Sequence, residues 1–344
     1  MDNDVLSDVL RTVRLSGAIF YEVRAGAPWV AESPPGNWMT SRLLPRAQHT
    51  IAYHVVIDGT CWTGLAEDGA TPIRLEAGSI VLYAHGSAHV MSTEPGARSD
   101  PILDAGRLPG PGESLPFFID ARAGRSECVR VLCGFLGCDA QPFNPLIQAL
   151  PPVVHVAPRE RPAGSVLDAL IAATVAESGA RGIGSGCVLA RLSELLFIEA
   201  VRAYVGSLPA EQPGWLAALA DPCVGRVLRL LHGDPARAWT LRSLGREGGF
   251  SRSVLVERFT AALGVPPMAY LLKWRMQIAA SLLADGTEGL ARVSTAVGYG
   301  SEEAFSRAFK RCTGRSPGDW RRAAKSGPIA AGVGDGGIAA PPAA

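Results

Sequence analysis

The spacing of apolar residues changes along the chain, and the change separates a β-rich part from a helical part. Near the front, Ile51, Tyr53, Val55 and Ile57 alternate with other side chains, a period of two that is typical of β-strands. Behind residue 160 the apolar positions recur every three or four residues, which predicts amphipathic helices. The pattern therefore predicts a multidomain α+β protein with strands in front and helices behind.

The predicted strands belong to a front domain over residues 1–160. Short apolar runs over residues 10–92, separated by glycine turns, and the run ECVRVLCGFLGCD at 127–139 favour a small β-barrel or sandwich. Residues 93–126 lie between these runs and are rich in glycine and proline. We expect a long flexible loop there.

Two further segments flank the last domain. SVLDALIAATVAES and CVLARLSELLFIEAVRAYV, joined by a glycine-rich turn, predict a helical hairpin that forms a connector over residues 161–212. Its wide apolar surface can pack either on the barrel or on a second copy of the chain, and both possibilities stay open. Residues 326–344 are low in sequence complexity and predict a disordered tail.

One pattern occurs twice in the all-α domain predicted for residues 215–325. LRSLGREGGFSRSVLVERFTAALGVPPMAY, from Leu241, aligns with LARVSTAVGYGSEEAFSRAFKRCTGRSPGDW, from Leu290. Each copy predicts a short helix, a turn at a glycine-aromatic pair, and a second helix that follows a serine and ends at a glycine. This order is typical of a helix-turn-helix unit, here duplicated. Between the copies, PMAYLLKWRMQIAASLLADG predicts a longer helix that fixes the distance between them.

The outer side of each second helix carries side chains that can recognise bases. Arginine pairs with guanine, glutamate accepts from cytosine, and valine contacts the thymine methyl group. The base-contact candidates are Arg252, Ser253, Val256 and Glu257 in the first copy and Glu302, Glu303, Ser306 and Arg307 in the second. Basic residues later in these helices, or beside them, are placed for phosphates. The phosphate-contact candidates are Arg258, Lys310, Arg311, Arg315 and Arg321.

The distribution of charge supports a polyanionic partner for this domain alone. Residues 221–325 hold 17 Arg and Lys against 9 Asp and Glu, a net charge of +8, whereas residues 1–220 have a net charge of −6. The alternative is that both outer faces are merely solvated. Two copies with matched cap, core and stop residues in the one basic segment argue against that alternative.

The duplicated pattern, over residues 222–322, resembles the DNA-binding domain of the AraC/XylS family of bacterial transcription regulators. WTLRSLGREGGFSRSVLVERF, KWRMQIAASLL and VGYGSEEAFSRAFKRCTGRSPGDWR carry the resemblance. It implies a sequence-specific regulator that reads two adjacent major-groove segments, about one helical turn or ~34 Å apart. Gly245 and Gly248 stand where the family usually has good helix formers, so we expect the first unit to be the less stable reader.

The front domain resembles the cupin-type sensor half of some AraC-like regulators, through HVVIDGTCW, LEAGSIVLYAHGSAHVMS and LCGFLGCDAQPFNPLIQALPPVVHV. The resemblance implies a cupin-like β-barrel for ligand sensing or dimerisation. His54, Trp62 and His89 are the candidates for the ligand pocket.

A metal site at His49, His54 and His89 is the weaker hypothesis. The HxH pair and the glutamate that metal-binding cupins carry are missing, and two histidines five residues apart lie on opposite faces of a regular strand. We therefore expect hydrogen-bonded histidines, without a metal or a cofactor.

Three functions remain, of which a DNA-binding transcription regulator that is not an enzyme is preferred. Its partners would be double-stranded DNA, a small-molecule effector, a second copy of the chain, and RNA polymerase if it activates transcription. The alternatives are a metal-dependent cupin enzyme with an accessory nucleic-acid-binding domain, and an adaptor that never touches DNA. The adaptor leaves the basic face unexplained. Without a signal sequence or a ~20-residue apolar span, we expect no membrane contact and a cytoplasmic location.

Overall fold

A computed structural model describes residues 4–44, 47–99, 117–180, 182–209, 214–286 and 288–326 of the 344-residue chain. The strands are β1 (Ser16–Ala25), β2 (Val30–Ser33), β3 (His49–Leu65), β4 (Ile73–Glu76), β5 (Ile80–Tyr83), β6 (His89–Ser92), β7 (Phe117–Ala121), β8 (Val129–Cys138) and β9 (Val154–Val156). The helices are α1 (Val5–Thr12), α2 (Gly36–Leu43), α3 (Pro145–Ala149), α4 (Val166–Ala180), α5 (Ser185–Ser207), α6 (Trp215–Ala218), α7 (Val224–Gly233), α8 (Leu241–Gly248), α9 (Arg252–Leu263), α10 (Pro267–Asp285), α11 (Leu290–Ala296), α12 (Glu302–Thr313) and α13 (Pro317–Ser326).

The sheet of the front domain is built around the long strand β3. Its strand order is β2-β6-β3-β8-β1-β7, with β4 and β5 also paired to β3, and β9 paired to β5. The first half of β3 pairs with β5 and β8, and its second half pairs with β4 and β6. Because one strand serves two sets of neighbours, the sheet curls into a half-barrel. The cupin-like fold expected from the sequence is confirmed.

A bulge in β3 exchanges the two faces of the strand. The pairing of β3 with β8 shifts between Val56 and Asp58, and Gly59 follows with φ +76°. A Cβ on Gly59 would lie 2.0 Å from the carbonyl oxygen of Cys128, so only glycine fits. Side chains of a regular strand alternate between its two faces, so Val56 and Cys61 would lie on opposite faces without the bulge. With the bulge, both side chains lie in the barrel interior.

The long loop expected over residues 93–126 is corrected in part. Residues 117–121 form β7, which pairs in parallel with β1, from Tyr21 opposite Phe117 to Ala25 opposite Ala121. The apolar start of β7 follows a stretch rich in glycine and proline, which concealed the strand. Residues 100–116 of the expected loop and residues 327–344 of the expected tail lie outside the described residues.

The helical hairpin of the connector is confirmed as α4 and α5, and it packs on the outer face of the sheet. Tyr53 of β3 places its hydroxyl 2.6 Å from Ser193 Oγ of α5, and both side chains are buried. Leu189, Leu196 and Phe197 of α5 enter the core that this face shares with the helices. Another side of α5 remains exposed.

Both helix-turn-helix units form as the repeat predicts. Ser251 Oγ accepts a hydrogen bond from the Val254 N–H at the start of α9, and Ser301 Oγ accepts one from the Ala304 N–H at the start of α12. The two helices end at glycines with left-handed backbone, namely Gly264 and Gly314. Helix α10 connects the units. In the described residues, no helix has both the length and the apolar character needed to cross a membrane.

The front domain contacts α10 through the segment that follows β8. The Phe143 N–H donates to Gln277 Oε1 over 3.0 Å, and Gln277 is fully buried in α10. The ring of Phe143 also meets Tyr270 edge to face, with centroids 5.5 Å apart. Nearby, the Arg14 guanidinium holds both carboxylate oxygens of Asp139 at 2.6 and 3.0 Å. The front domain and the connecting helix are therefore in direct contact.

Candidate functional site

The second helix of the first unit, α9, presents a mixed polar face. Leu255 and Phe259 are buried in the core. Among the four base-contact candidates of this helix, Arg252, Ser253 and Glu257 are exposed. Val256 is half-buried. Val254, which the sequence analysis left out, is 39% exposed on the same helix. Val254 directly follows Arg252 and Ser253 in the first turn of α9, and this position could have indicated its exposure.

The second helix of the second unit, α12, presents the corresponding face. Phe305 and Phe309 are fully buried, as the spacing predicted. Glu302, Glu303 and Arg307 are exposed and Ser306 is half-buried. The local fold thus places all eight base-contact candidates on two helices of equal length, α9 and α12, with twelve residues each.

The two faces differ in their order of charge. In the alignment of the copies, Arg252 occupies the position of Glu302, and Glu257 occupies the position of Arg307. The acidic side chains lie in the first turn of α12, where the helix dipole favours negative charge. The two helices therefore carry opposite charges at two equivalent positions.

The five phosphate-contact candidates fall into two groups. Lys310, Arg311 and Arg315 are exposed and have no carboxylate partner within the described residues. Arg258 instead lies 3.7 Å from Asp221 Oδ2 and donates to Cys223 Sγ over 3.1 Å. Arg321 is half-buried and donates to the Glu288 carbonyl oxygen over 2.6 Å. The first group is free for a polyanion, whereas the second group is engaged within the fold.

Inside the barrel, His54 of β3 and His89 of β6 meet with their Nε2 atoms 2.7 Å apart. His89 Nδ1 lies 2.9 Å from the Ser87 carbonyl oxygen, which can only accept, so Nδ1 carries the proton and Nε2 is an acceptor. His54 Nε2 must then donate to it. This leaves His54 Nδ1 as a buried acceptor that has no hydrogen-bond partner among the residues the structure describes.

Burial keeps both of these imidazoles neutral. It lowers the pKa of His89 to about 4, and burial together with the proximity of His89 holds the pKa of His54 well below its ordinary value. The Tyr83 ring stacks on His89 with centroids 3.8 Å apart, and its hydroxyl bonds to Thr63. Neither Tyr83 nor Thr63 was among the pocket candidates, although Tyr83 lies within LEAGSIVLYAHGSAHVMS, which carries the cupin resemblance.

The structure does not bring Trp62 or His49 to this pair. The bulge between Val56 and Asp58 turns Thr63 into the interior. Trp62 therefore faces the other way, and it lines a surface cavity of about 200 Å³ beside Arg98. His49 Nε2 lies 2.7 Å from the Ala84 carbonyl oxygen. The described residues contain no group of three or more His, Cys, Asp or Glu placed to hold a metal. Two histidines alone therefore meet, as a hydrogen-bonded pair.

The front domain is a curled barrel, and it is joined to two helix-turn-helix units that carry exposed basic side chains. This combination is typical of a DNA-binding regulator. Comparison with known families agrees: a cupin family model matches residues 4–206, and a helix-turn-helix domain model matches residues 244–323.

Two known relatives show the similarity over most of the chain. A putative AraC-like transcription regulator of Streptomyces lividans is 33% identical, and the match covers 93% of this chain and 98% of that protein. Another, of Streptomyces antibioticus, is 31% identical over the same shares of both chains. The crystal structure of ToxT from Vibrio cholerae is 12% identical, with a TM-score of 0.33, over 89% of this chain and 94% of ToxT.

The chain belongs to the AraC-like transcription regulators, with a cupin-like ligand-binding domain and a helix-turn-helix DNA-binding domain. Its relatives are named as regulators, which points away from an enzyme. The family models and the named relatives give no support to the alternative of a metal-dependent cupin enzyme.

Proposed function

We propose that α9 and α12 enter two adjacent segments of the major groove of double-stranded DNA and read different bases there. The observation that carries this proposal is the pair of serine-capped helices, each with an exposed polar face, in the basic domain. Residues in the first half of a recognition helix reach base edges. The proposed base contacts are Arg252, Ser253, Val256, Glu257, Glu302, Glu303, Ser306 and Arg307.

The phosphate contacts come in two kinds under this proposal. Lys310, Arg311 and Arg315 bind phosphates directly, because nothing in the described residues neutralises them. Arg258 exchanges its contact with Asp221 for a phosphate. Arg321 keeps its bond to the Glu288 carbonyl and adds positive charge beside the second unit.

For the barrel, we propose that the effector is a small molecule with a hydrogen-bond donor that reaches His54. His54 Nδ1 has no donor in the described part of the chain, which supports this, since a buried acceptor without a donor is costly. Such a ligand shifts the regulator between states only if it binds them with different affinity.

We also propose two protein partners and a location. The exposed apolar side of α5 fits a second copy of the chain, and an activating regulator would contact RNA polymerase. A protein that reads chromosomal DNA in bacteria works in the cytoplasm.

Arginine variants of the full chain test the DNA-reading proposal. The probes are duplexes that the unaltered protein enriches from a random pool, together with single-base variants of them. Arg307→Ala should relax the base choice at one position by about 1–3 kcal/mol. Arg315→Ala should weaken all duplexes alike and lower the salt slope by ~1.

Arg74→Ala, an exposed arginine of β4, is the matched control and should change neither property. Equal effects of Arg307→Ala on matched and mismatched duplexes would contradict the base contact. An Arg315→Ala protein with unchanged salt dependence would contradict the phosphate contact.

A further inference from the structure

The two helix-turn-helix units touch at a place other than the helix that joins them. The contact lies between the loop 234–239, which precedes α8 of the first unit, and the turn before α12 of the second. Arg275, near the middle of α10, donates from Nε to the Pro235 carbonyl oxygen over 2.6 Å. Its Nη2 donates to the Arg237 carbonyl oxygen over 2.8 Å. One half-buried guanidinium thus holds the loop at two points.

Gly298 closes the same contact from the second unit. Its backbone is left-handed, with φ +77°, and an added Cβ would lie 2.2 Å from the Ala236 carbonyl oxygen. Ala236 is the residue between the two carbonyls that Arg275 binds. Since Gly298 lies three residues before Ser301, which caps α12, the loop of the first unit rests against the turn that leads into the second recognition helix.

Several side-chain contacts attach the loop to the first unit. Arg237 forms two bonds to the Glu247 carboxylate of α8, at 3.0 and 2.5 Å, and its guanidinium lies 3.9 Å over the Trp239 ring. Trp239 donates to the Asp234 carbonyl oxygen over 2.8 Å. A displacement of the loop therefore displaces α8 as well.

The repeat supplies an internal comparison. Gly249 is the counterpart of Gly298 in the first unit and has the same left-handed backbone, with φ +84°. No atom lies within 4 Å of an added Cβ there. Both positions favour glycine because the backbone is left-handed. Of the two, Gly298 alone also lies against the backbone of Ala236, where a side chain would collide.

We propose that Arg275 and Gly298 are positioning residues that fix the separation and rotation of the two recognition helices, so that the protein accepts only one spacing between half-sites. The proposal rests on the proposed reading of DNA by both α9 and α12. Helix α10 connects the two units along the chain and is the first connection between them. The contact of Arg275 and Gly298 with the loop is a second connection between the units. Two connections prevent the units from rotating relative to each other, whereas one connection does not.

The test is spacing dependence, measured with the full chain on a two-half-site duplex that the unaltered protein selects from a random pool. Each inserted or deleted base pair rotates one half-site by about 35° relative to the other. The unaltered protein should bind duplexes changed by one base pair at least tenfold more weakly. Arg275→Ala and Gly298→Ala should bind the original duplex more weakly, yet lose less than about threefold on the changed ones.

Two controls separate positioning from folding and from the proposed function. Gly249→Ala introduces the same backbone strain without the collision and should keep the full spacing penalty. A duplex with a single half-site should bind the Arg275→Ala protein as it binds the unaltered one. Arg275→Lys offers one donor group on a flexible stem in place of a rigid fork and should be intermediate.

The outcomes are distinct. An unchanged spacing penalty in both Arg275→Ala and Gly298→Ala overturns the positioning role while leaving the two-segment reading intact. If the unaltered protein binds one half-site as tightly as two, the two-segment reading itself is overturned. A spacing penalty that is lost in both variants and kept in Gly249→Ala establishes the role.

Discussion

At Gly245 the carbonyl oxygen of Phe250 lies directly against the backbone of α8. A Cβ at this position would approach that oxygen to 2.7 Å, and the Phe250 N–H bonds to the Gly245 carbonyl over 2.7 Å. Nearby, a Cβ on Gly248 would meet a Val227 methyl group at 3.1 Å. Both glycines therefore allow the turn of the first unit to close tightly, which gives them a packing role that their low helix propensity concealed.

We expect Gly245→Ala to lower the free energy of unfolding by about 1–3 kcal/mol, because the added methyl group collides with backbone. Helix propensity alone predicts a gain of about 1 kcal/mol. Urea denaturation of the two proteins gives the sign directly.

Gly318→Ala in α13 is the matched control. The nearest atom to its added Cβ lies at 3.6 Å, an ordinary contact. This variant should be as stable as the unaltered protein or slightly more so. A Gly245→Ala protein that gains stability would restore the expectation of a merely weak helix.

His89 contributes a pH dependence whose direction follows from its lowered pKa. Its pKa is about 4 in the folded protein against an ordinary 6.5, so the unfolded chain binds the proton first as the pH falls. Stability present above pH 6.5 is therefore lost between pH 6.5 and 4, by roughly 3 kcal/mol.

We expect His89→Gln to remove this part of the acid sensitivity. The free energy of unfolding, measured by urea denaturation at several pH values, should fall less steeply from pH 6.5 to 4 in the variant. Above pH 7 both proteins should show the same slope, which serves as the internal control. Parallel curves throughout would show that His89 titrates normally in the folded state.

At the scale of elements, the repeated units were predictable because each boundary has a local cause. Ser251 and Ser301 begin the recognition helices, Gly264 and Gly314 end them, and the i, i+4 apolar pairs are buried as expected. These are interactions within a few residues of the chain. The alternating pattern of β3 and the hairpin of α4 and α5 were predictable for the same reason.

Other elements could not be found because distant partners define them. β7 exists through its parallel pairing with β1, almost a hundred residues earlier in the sequence. The engagement of Arg258 by Asp221 and of Arg321 by the Glu288 carbonyl depends on packing between helices. The separation of Trp62 from His54 follows from a bulge, which changes the facing of every later residue in β3.

The outer side of α5 has a predicted consequence for assembly. Val188 and Leu195, seven residues apart on one side of the helix, are 44% and 45% exposed. We expect a dimer at micromolar concentration by light scattering, and we expect Leu195→Glu to make it monomeric. Thr71→Glu, an exposed residue before β4, should leave the dimer intact. A monomeric unaltered protein would remove the dimer proposal.

At the scale of the whole molecule, the barrel and the DNA-binding domain share a continuous core. Residues of β3, α1, α5 and α10 contribute to it, and the Phe143–Gln277 bond joins positions 134 residues apart. The same helix that receives this bond, α10, also carries Arg275. The barrel therefore contacts the same helix that carries the proposed positioning residue.

Under the proposed function, the regulator recognises DNA through two helices held in one geometry. The measurement that tests this most directly is selection by the full chain from a pool of random duplexes, repeated across a range of salt concentrations. We predict enrichment of one sequence with two different half-sites about 10 base pairs apart, since the faces of α9 and α12 carry different charges. Salt-dependent binding without enrichment of any sequence would contradict the account and leave only a basic surface that binds the DNA backbone.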